Sequence, residues 1–183
     1  LFNIPQWNNS KLSLKNKQTK KDFDQAPVLE RFKVQLENFN VQTNYTLKPD
    51  FSWACINVDQ IVNKFFGNKF ILLFPFSSPK LSHKQWPNYK KLIKIIKSKH
   101  NQLEIVVAPG PKEIEEAKEI GVVTITNNQK ALNIMELAGL IKKSSFIIGN
   151  DTGPSHMAAH LRKSGLVLFG YHTTAKKVSI ETE

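Results

Sequence analysis

An α/β fold, a parallel sheet with helices on both faces, is predicted by three observations. Short apolar runs recur from residue 69 onward. Segments with helical spacing of apolar residues lie between them. Glycine and proline stand at many of the joints. Strands alternating with helices of about 10–15 residues imply βαβ units and a parallel sheet, joined by right-handed crossovers.

The elements follow in order. Residues 1–25 are polar, with Lys11, Lys15, Lys17, Lys20 and Lys21 close together, and read as a loop or solvated tail. Val28, Phe32, Leu36 and Phe39 fall near one face of a helix over 27–39. Residues 40–57 are mixed, with a turn at Pro49-Asp50. Val58 to Phe66 is a second short helix, closed by Gly67-Asn68. Phe70-Ile-Leu-Leu-Phe74 is the first strand. Tyr89, Leu92, Ile93 and Ile96 mark a helix opening at Pro87. Leu103 to Val107 is the second strand. Pro111 starts an acidic helix carrying Glu113, Glu115, Glu116 and Glu119, ended by Gly121. Val122 to Ile125 is the third strand, and Ile134, Leu137, Ala138 and Ile141 mark the next helix. Phe146 to Ile148 is the fourth strand, followed by a helix at Pro154 with Met157, Ala158 and Leu161 at helical spacing. Gly165 to Phe169 is the fifth, turned by Gly170. No solenoid-length repeat is present.

Composition narrows the partners. The net charge is +11 and the pI about 9.7. Lysines spread over solvated faces are the plain reading; a peripheral attraction to anionic membrane is the alternative. Arg31 and Arg162 are the only arginines. Arginine does most of the specific reading of bases, so nucleic acid is not an expected partner. Cys55 is alone, which excludes an internal disulfide and a CxxC metal site. No apolar run reaches the roughly 18 residues of a membrane span. A cytoplasmic location follows as the expectation, possible contact with the inner membrane face included. The chain opens on Leu1 rather than Met, and a fragment is expected.

The chemistry concentrates in two loops. Gly149-Asn-Asp-Thr-Gly-Pro-Ser-His-Met-Ala-Ala159 runs from a strand into a helix start. Such a start offers unpaired N–H groups and partial positive charge, a seat for an anion. Asp151 fits there as a helix cap or as a binder of sugar hydroxyls. Pro75-Phe-Ser-Ser-Pro-Lys-Leu-Ser-His-Lys-Gln-Trp86 follows the first strand and is equally rich in hydroxyls, lysine and histidine. If the strand order is 3-2-1-4-5, both loops border one crevice. Ser77, Ser78, Lys84, Thr152 and His156 can then converge on a diphosphate. Plainer readings exist for each: Ser77-Ser78 as a turn before Pro79, Lys84 as a solvated lysine, Trp86 as a core plug. His156 and His160 have the spacing of zinc ligands, but no HExxH glutamate or third ligand accompanies them, so no metal is expected. An oxidoreductase is disfavoured because no GxGxxG follows the first strand.

The segment Asp151-Thr-Gly-Pro-Ser-His-Met-Ala-Ala159 resembles the signature of glycosyltransferase family 9, the ADP-heptose:lipopolysaccharide heptosyltransferases. Ser77-Ser78 with Lys84-Gln-Trp-Pro87 is similar to the family's other C-domain motif, and Ile134 to Gly149 to its run into the signature. The resemblance covers about residues 69–171. It implies a Rossmann-like domain, the C-terminal half of a GT-B fold, incomplete here. Residues 1–68 would be the end of the acceptor domain and a linker; residues 69–183 would be a truncated nucleotide-sugar-binding domain. Carried over, Ser77 and Ser78 contact phosphate, and Lys84 neutralises the leaving diphosphate. Thr152, Gly153 and His156 bind phosphate at the helix start, and Asp151 binds the sugar hydroxyls. Leu132 contacts the nucleobase and Glu113 the ribose. The implied reaction is inverting transfer of heptose from an ADP-sugar donor to a lipid-linked oligosaccharide acceptor of the lipopolysaccharide core, with no cofactor. The implied catalytic carboxylate is expected outside this chain, so a nucleotide-sugar-binding fragment or inactive homologue is the alternative.

Overall fold

The computed structural model describes residues 26–37, 39–45, 50–65, 69–171 and 173–178. The lysine-rich stretch 1–25, the turn at Pro49 and the Gly67-Asn68 closure lie outside the described residues. The chain divides into two compact units, 1–49 with 173–179 and 50–172 with 180–183.

The first unit holds helix α1 (Val28–Glu37), where the apolar spacing places it. None of its residues is buried; Phe32 and Val34 are both exposed. Beyond it Thr43 donates its hydroxyl to the Glu37 carboxylate.

The second unit is the α/β layer structure. It opens with a 3-10 turn (Ser52–Ala54) and helix α2 (Asp59–Val62). Then come β1 (Phe70–Phe74), a 3-10 segment (Pro79–Lys84), α3 (Tyr89–Lys99) and β2 (Glu104–Val107). The chain continues through α4 (Ile114–Lys118), β3 (Val123–Thr124) and α5 (Ile134–Lys143). It ends with β4 (Phe146–Asn150), α6 (Gly153–His160) and β5 (Gly165–Leu168). A last short helix, α7 (Ala175–Val178), belongs to the first unit. The sheet order is β3-β2-β1-β4-β5, all parallel. The expected switch point between β1 and β4 is therefore present.

Burial on both faces explains why β1, β2 and β4 read as nearly continuous apolar runs. Phe70, Leu72, Phe74, Val106 and Ile147 point to one face, where α2, α5 and α6 pack through Ile61, Val62, Leu140, Ile141 and Ala158. Ile71, Leu73, Ile105 and Ile148 point to the other, against Tyr89, Ile93 and Ile96 of α3. The helix expected from Val58 to Phe66 forms only over Asp59–Val62 and gives way to a turn over 63–65, and two further readings differ from the sequence expectation. The acidic helix starts at Ile114, not Pro111, because Glu113 takes the N-cap position after a turn over 111–112. Trp86 is 37% exposed and is no core plug. Pro87 and Asn88 turn the chain, and Tyr89, 5% exposed, fills that core position with the Trp86 ring edge-on at 5.5 Å.

Candidate functional site

The carboxyl ends of β1 and β4 point into a cleft of about 570 Å³. Three segments wall it. Phe74, Phe76, Ser77 and Ser78 follow β1; Ala108 to Pro111 and Glu113 follow β2; Thr152 to Pro154 and Met157 open α6. Leu132, Ile134 and Leu137 complete an apolar end. Six sequence-predicted residues thus line one space: Ser77, Ser78, Glu113, Leu132, Thr152 and Gly153.

Local chemistry shapes each wall. The Ser77 hydroxyl donates to the Leu81 carbonyl at 2.8 Å and holds the 3-10 segment in its turn. The Glu113 carboxylate accepts the Gly110 N–H at 2.7 Å and shapes the β2 loop. A capping box at Asn133 and Glu136 starts α5 and so positions Leu132 just before it. Thr152 is the N-cap of α6, in extended backbone, and Pro154 stands in the first turn. Such a start leaves N–H groups without helical partners, and Pro154 contributes none.

Two glycines in this loop do different things. A Cβ on Gly149 would lie 2.3 Å from the Ser155 Oγ and 3.0 Å from the Phe74 Cβ. The close passage of α6 over β1 requires its absence. A Cβ on Gly153 would meet nothing within 4 Å and would point into open space.

Lys84, Asp151 and His156 are brought together beside the cleft rather than along it. The Lys84 Nζ donates to the Asp151 Oδ2 at 2.6 Å, and the other carboxylate oxygen is 2.9 Å from the His156 Nε2. Burial by itself would raise the Asp151 carboxyl; the hydrogen bonds and charges of Lys84 and His156 outweigh it and hold it below the ordinary carboxylate range. The helix begins one residue too late for Asp151 to be its N-cap. Of the two roles open to Asp151, capping is therefore not the one it plays.

The sequence reading passed over Asn150, which is wholly buried. Its Nδ2 donates to the Pro75 carbonyl at 2.6 Å. Its Oδ1 accepts the Trp86 N–H at 3.2 Å and the Tyr89 hydroxyl at 3.1 Å. Burial pushes that phenol well above its usual range, so it stays a donor. An asparagine ending an apolar strand was the available signal, since a buried amide must be fully bonded.

On the other side of α6 lies a second hollow of about 520 Å³, almost entirely apolar. Phe51, Trp53, Met135 and Leu161 line it, with His156 and His160. The His160 ring stands edge-on to Phe51 at 5.2 Å, and its Nδ1 is buried without a hydrogen-bond partner. Burial, then the neighbouring His156, lowers its pKa from the ordinary value. Among the described residues no group of three or more His, Cys, Asp or Glu side chains could hold a metal ion. Among them, too, no helix is long and apolar enough to cross a membrane.

Comparison with known proteins gives this geometry a context. Lipopolysaccharide core heptosyltransferase OpsX of Haemophilus influenzae is 27% identical over 119 residues, covering 62% of this chain and 33% of that protein. Lipopolysaccharide heptosyltransferase 1 of Campylobacter coli is 34% identical over 85 residues, covering 43% of this chain and 25% of that protein. The structure of E. coli heptosyltransferase WaaC with ADP superposes with a TM-score of 0.60 at 19% identity, covering 83% of this chain and 47% of that one. A glycosyl transferase of family 9 from Veillonella parvula gives 0.58 at 14% identity, covering 80% and 50%. The chain thus spans about a third or less of these curated relatives and about half of the solved ones. The structural likeness is one of fold: a parallel sheet with helices, corresponding to about half of a GT-B chain. The model of glycosyltransferase family 9 (heptosyltransferase) matches residues 6–180, and the chain belongs to that family.

Proposed function

We propose that this chain binds the nucleotide-sugar donor for an inverting heptosyl transfer from an ADP-sugar to a lipopolysaccharide core acceptor. One observation carries the reading: the loops after β1 and β4 share a cleft with an apolar end and a helix start. An adenosine diphosphate has that same division, an apolar base and a charged diphosphate. Its base would lie against Leu132, with the ribose at Glu113. Its phosphates would meet Ser77, Ser78, Thr152 and Gly153, where a helix start favours negative charge. Lys84 would add positive charge beside them and His156 a ring nitrogen to bond phosphate, and Asp151 would accept sugar hydroxyls.

In the transfer an acceptor hydroxyl attacks the anomeric carbon while a carboxylate of the acceptor domain takes its proton. The bond to the diphosphate oxygen breaks, and ADP leaves with the electron pair. Charge gathers on that phosphate, where Lys84 and the α6 N–H groups would stabilise it. The relatives' names support the donor and acceptor classes: one neighbour is described with ADP and the curated ones as lipopolysaccharide heptosyltransferases. A cytoplasmic place, at the inner membrane face where a lipid-linked acceptor is met, goes with this reading.

Isothermal titration of the full chain with ADP is the test. ADP is expected to bind, and inorganic diphosphate to bind more weakly because the apolar end stays empty. No heat with ADP up to about millimolar concentration, a binding energy of roughly 4 kcal/mol, would remove the donor reading.

A further inference from the structure

Asn150 ends β4, and its amide is where the two cleft loops meet. The side chain bonds both ends of the segment after β1, Pro75 at one end and Trp86 at the other. Its backbone carbonyl accepts the Ser155 hydroxyl at 2.7 Å and the Thr152 hydroxyl at 3.4 Å, at the start of α6. Ser77 and Ser78 lie within the first bracket, and Gly153 within the second. A residue of similar size with no amide would fill the space. It would leave the Pro75 carbonyl, the Trp86 N–H and the Tyr89 hydroxyl without these bonds.

We propose that Asn150 is the positioning residue of the cleft. Its amide ties the loop after β1 to the end of β4, its main-chain carbonyl holds the start of α6, and the two together set where Ser77, Ser78, Thr152 and Gly153 face the ligand. The ligand half of this statement rests on the donor reading above; the locking half does not. The Lys84–Asp151 contact also joins the two loops, but Lys84 is partly exposed, so water competes for it. Asn150 works where water does not reach, and a buried amide that makes three hydrogen bonds is the more rigid link.

The experiment compares Asn150→Leu with Asn150→Asp at about pH 5.5. Burial favours the protonated form of an aspartic acid there, which has one O–H to donate and oxygens left to accept, the amide's own pattern. The titratable groups around it are Tyr89 on α3, Lys84 on the 3-10 segment, Asp151 beside it and His156 on α6. Parent protein at the same pH is therefore the reference. Two quantities are read on the full chain: hydrogen exchange of the Trp86 amide, with the β1 amides as folding control, and ADP affinity.

In Asn150→Leu, Trp86 exchange is expected to quicken and ADP affinity to fall by about tenfold or more while β1 stays protected. Asn150→Asp is expected to recover most of both. Parental Trp86 protection and affinity in Asn150→Leu would overturn the proposal, as would equal losses in the two variants. If Asn150→Leu does not fold, Tyr89→Phe removes a single donor from Oδ1. It should quicken Trp86 exchange about threefold, and no change there would also overturn the proposal. A parent that binds no ADP refutes the donor reading, and the exchange measurement still decides the lock.

Discussion

The two hollows that flank α6 are nearly equal in volume, about 570 and 520 Å³, but only the first carries a substantial polar share in its wall. They share Ile134, Gly153 and Met157, so the helix is not what separates them. The opposing walls do. The cleft faces turns of main chain after β1 and β2, where backbone polar groups are not used up by a ladder. The other hollow faces the rings of Phe51 and Trp53. Strand ends supply donors in fixed positions; a packed side-chain wall supplies only surface.

The largest expected effect falls on the cleft side. In steady-state heptosyl transfer by a full-length enzyme that carries this domain beside its acceptor domain, Lys84→Ala should, on the proposed reading, lower kcat by about 10²–10³, or 2.7–4 kcal/mol, and change donor KM less. An unchanged kcat would take Lys84 out of the chemistry and leave it as a partner of Asp151. Next in size is Gly149→Ala. Its Cβ has no room beside Ser155 and Phe74, so urea denaturation should show a loss of about 1–3 kcal/mol.

Gly153→Ala sharpens the contrast four residues later. Its Cβ touches no protein atom, so stability should hold or rise slightly, alanine being the better helix former. On the proposed donor reading ADP affinity should fall about tenfold, near 1.4 kcal/mol, because the methyl would enter the open space assigned to the ligand. Trp53→Ala, on the far hollow, should leave ADP affinity unchanged. If Trp53→Ala weakens ADP, the ligand sits in the other hollow, since Gly153 borders both and Trp53 only that one.

The smallest effects are in pH. His160 and Asp151 both have lowered pKa values, so each contributes stability that acid removes, in separate windows. For His160 the unfolded chain takes up its proton first, and stability declines as pH falls below about 6.5 towards the lower folded value. For Asp151 the contribution persists until pH falls below 3.8, then disappears through its folded value. Thermal melts of His160→Phe should lose the upper window and keep the lower one. A melt profile identical to the parent would mean that His160 accepts its proton in place.

Much of this was legible in the residues. Apolar runs such as Phe70–Phe74 could only be strands buried on both faces, and the order of strands and helices pointed to the doubly wound sheet. That Ser77, Ser78, Thr152 and Gly153 line one cleft was legible because two hydroxyl-rich loops follow the two strands at a switch point. Asn150 was not, because its work is done with Pro75 and Trp86, more than sixty residues away in sequence. Trp86 was misjudged for a related reason: which of two neighbouring aromatics enters a core depends on how a proline turn aims them.

The chain's periodicity and its two loops are local properties, set by side-chain pattern and backbone preference within a few residues, and they determined the fold class and the neighbourhood of the site. Tertiary structure alone decided that Lys84 lies on Asp151, that Glu113 is tied to Gly110, and that a buried amide joins the cleft's two loops. Those outcomes depend on distances between segments remote along the chain. Such distances are set when all the elements pack together, and no local pattern encodes them.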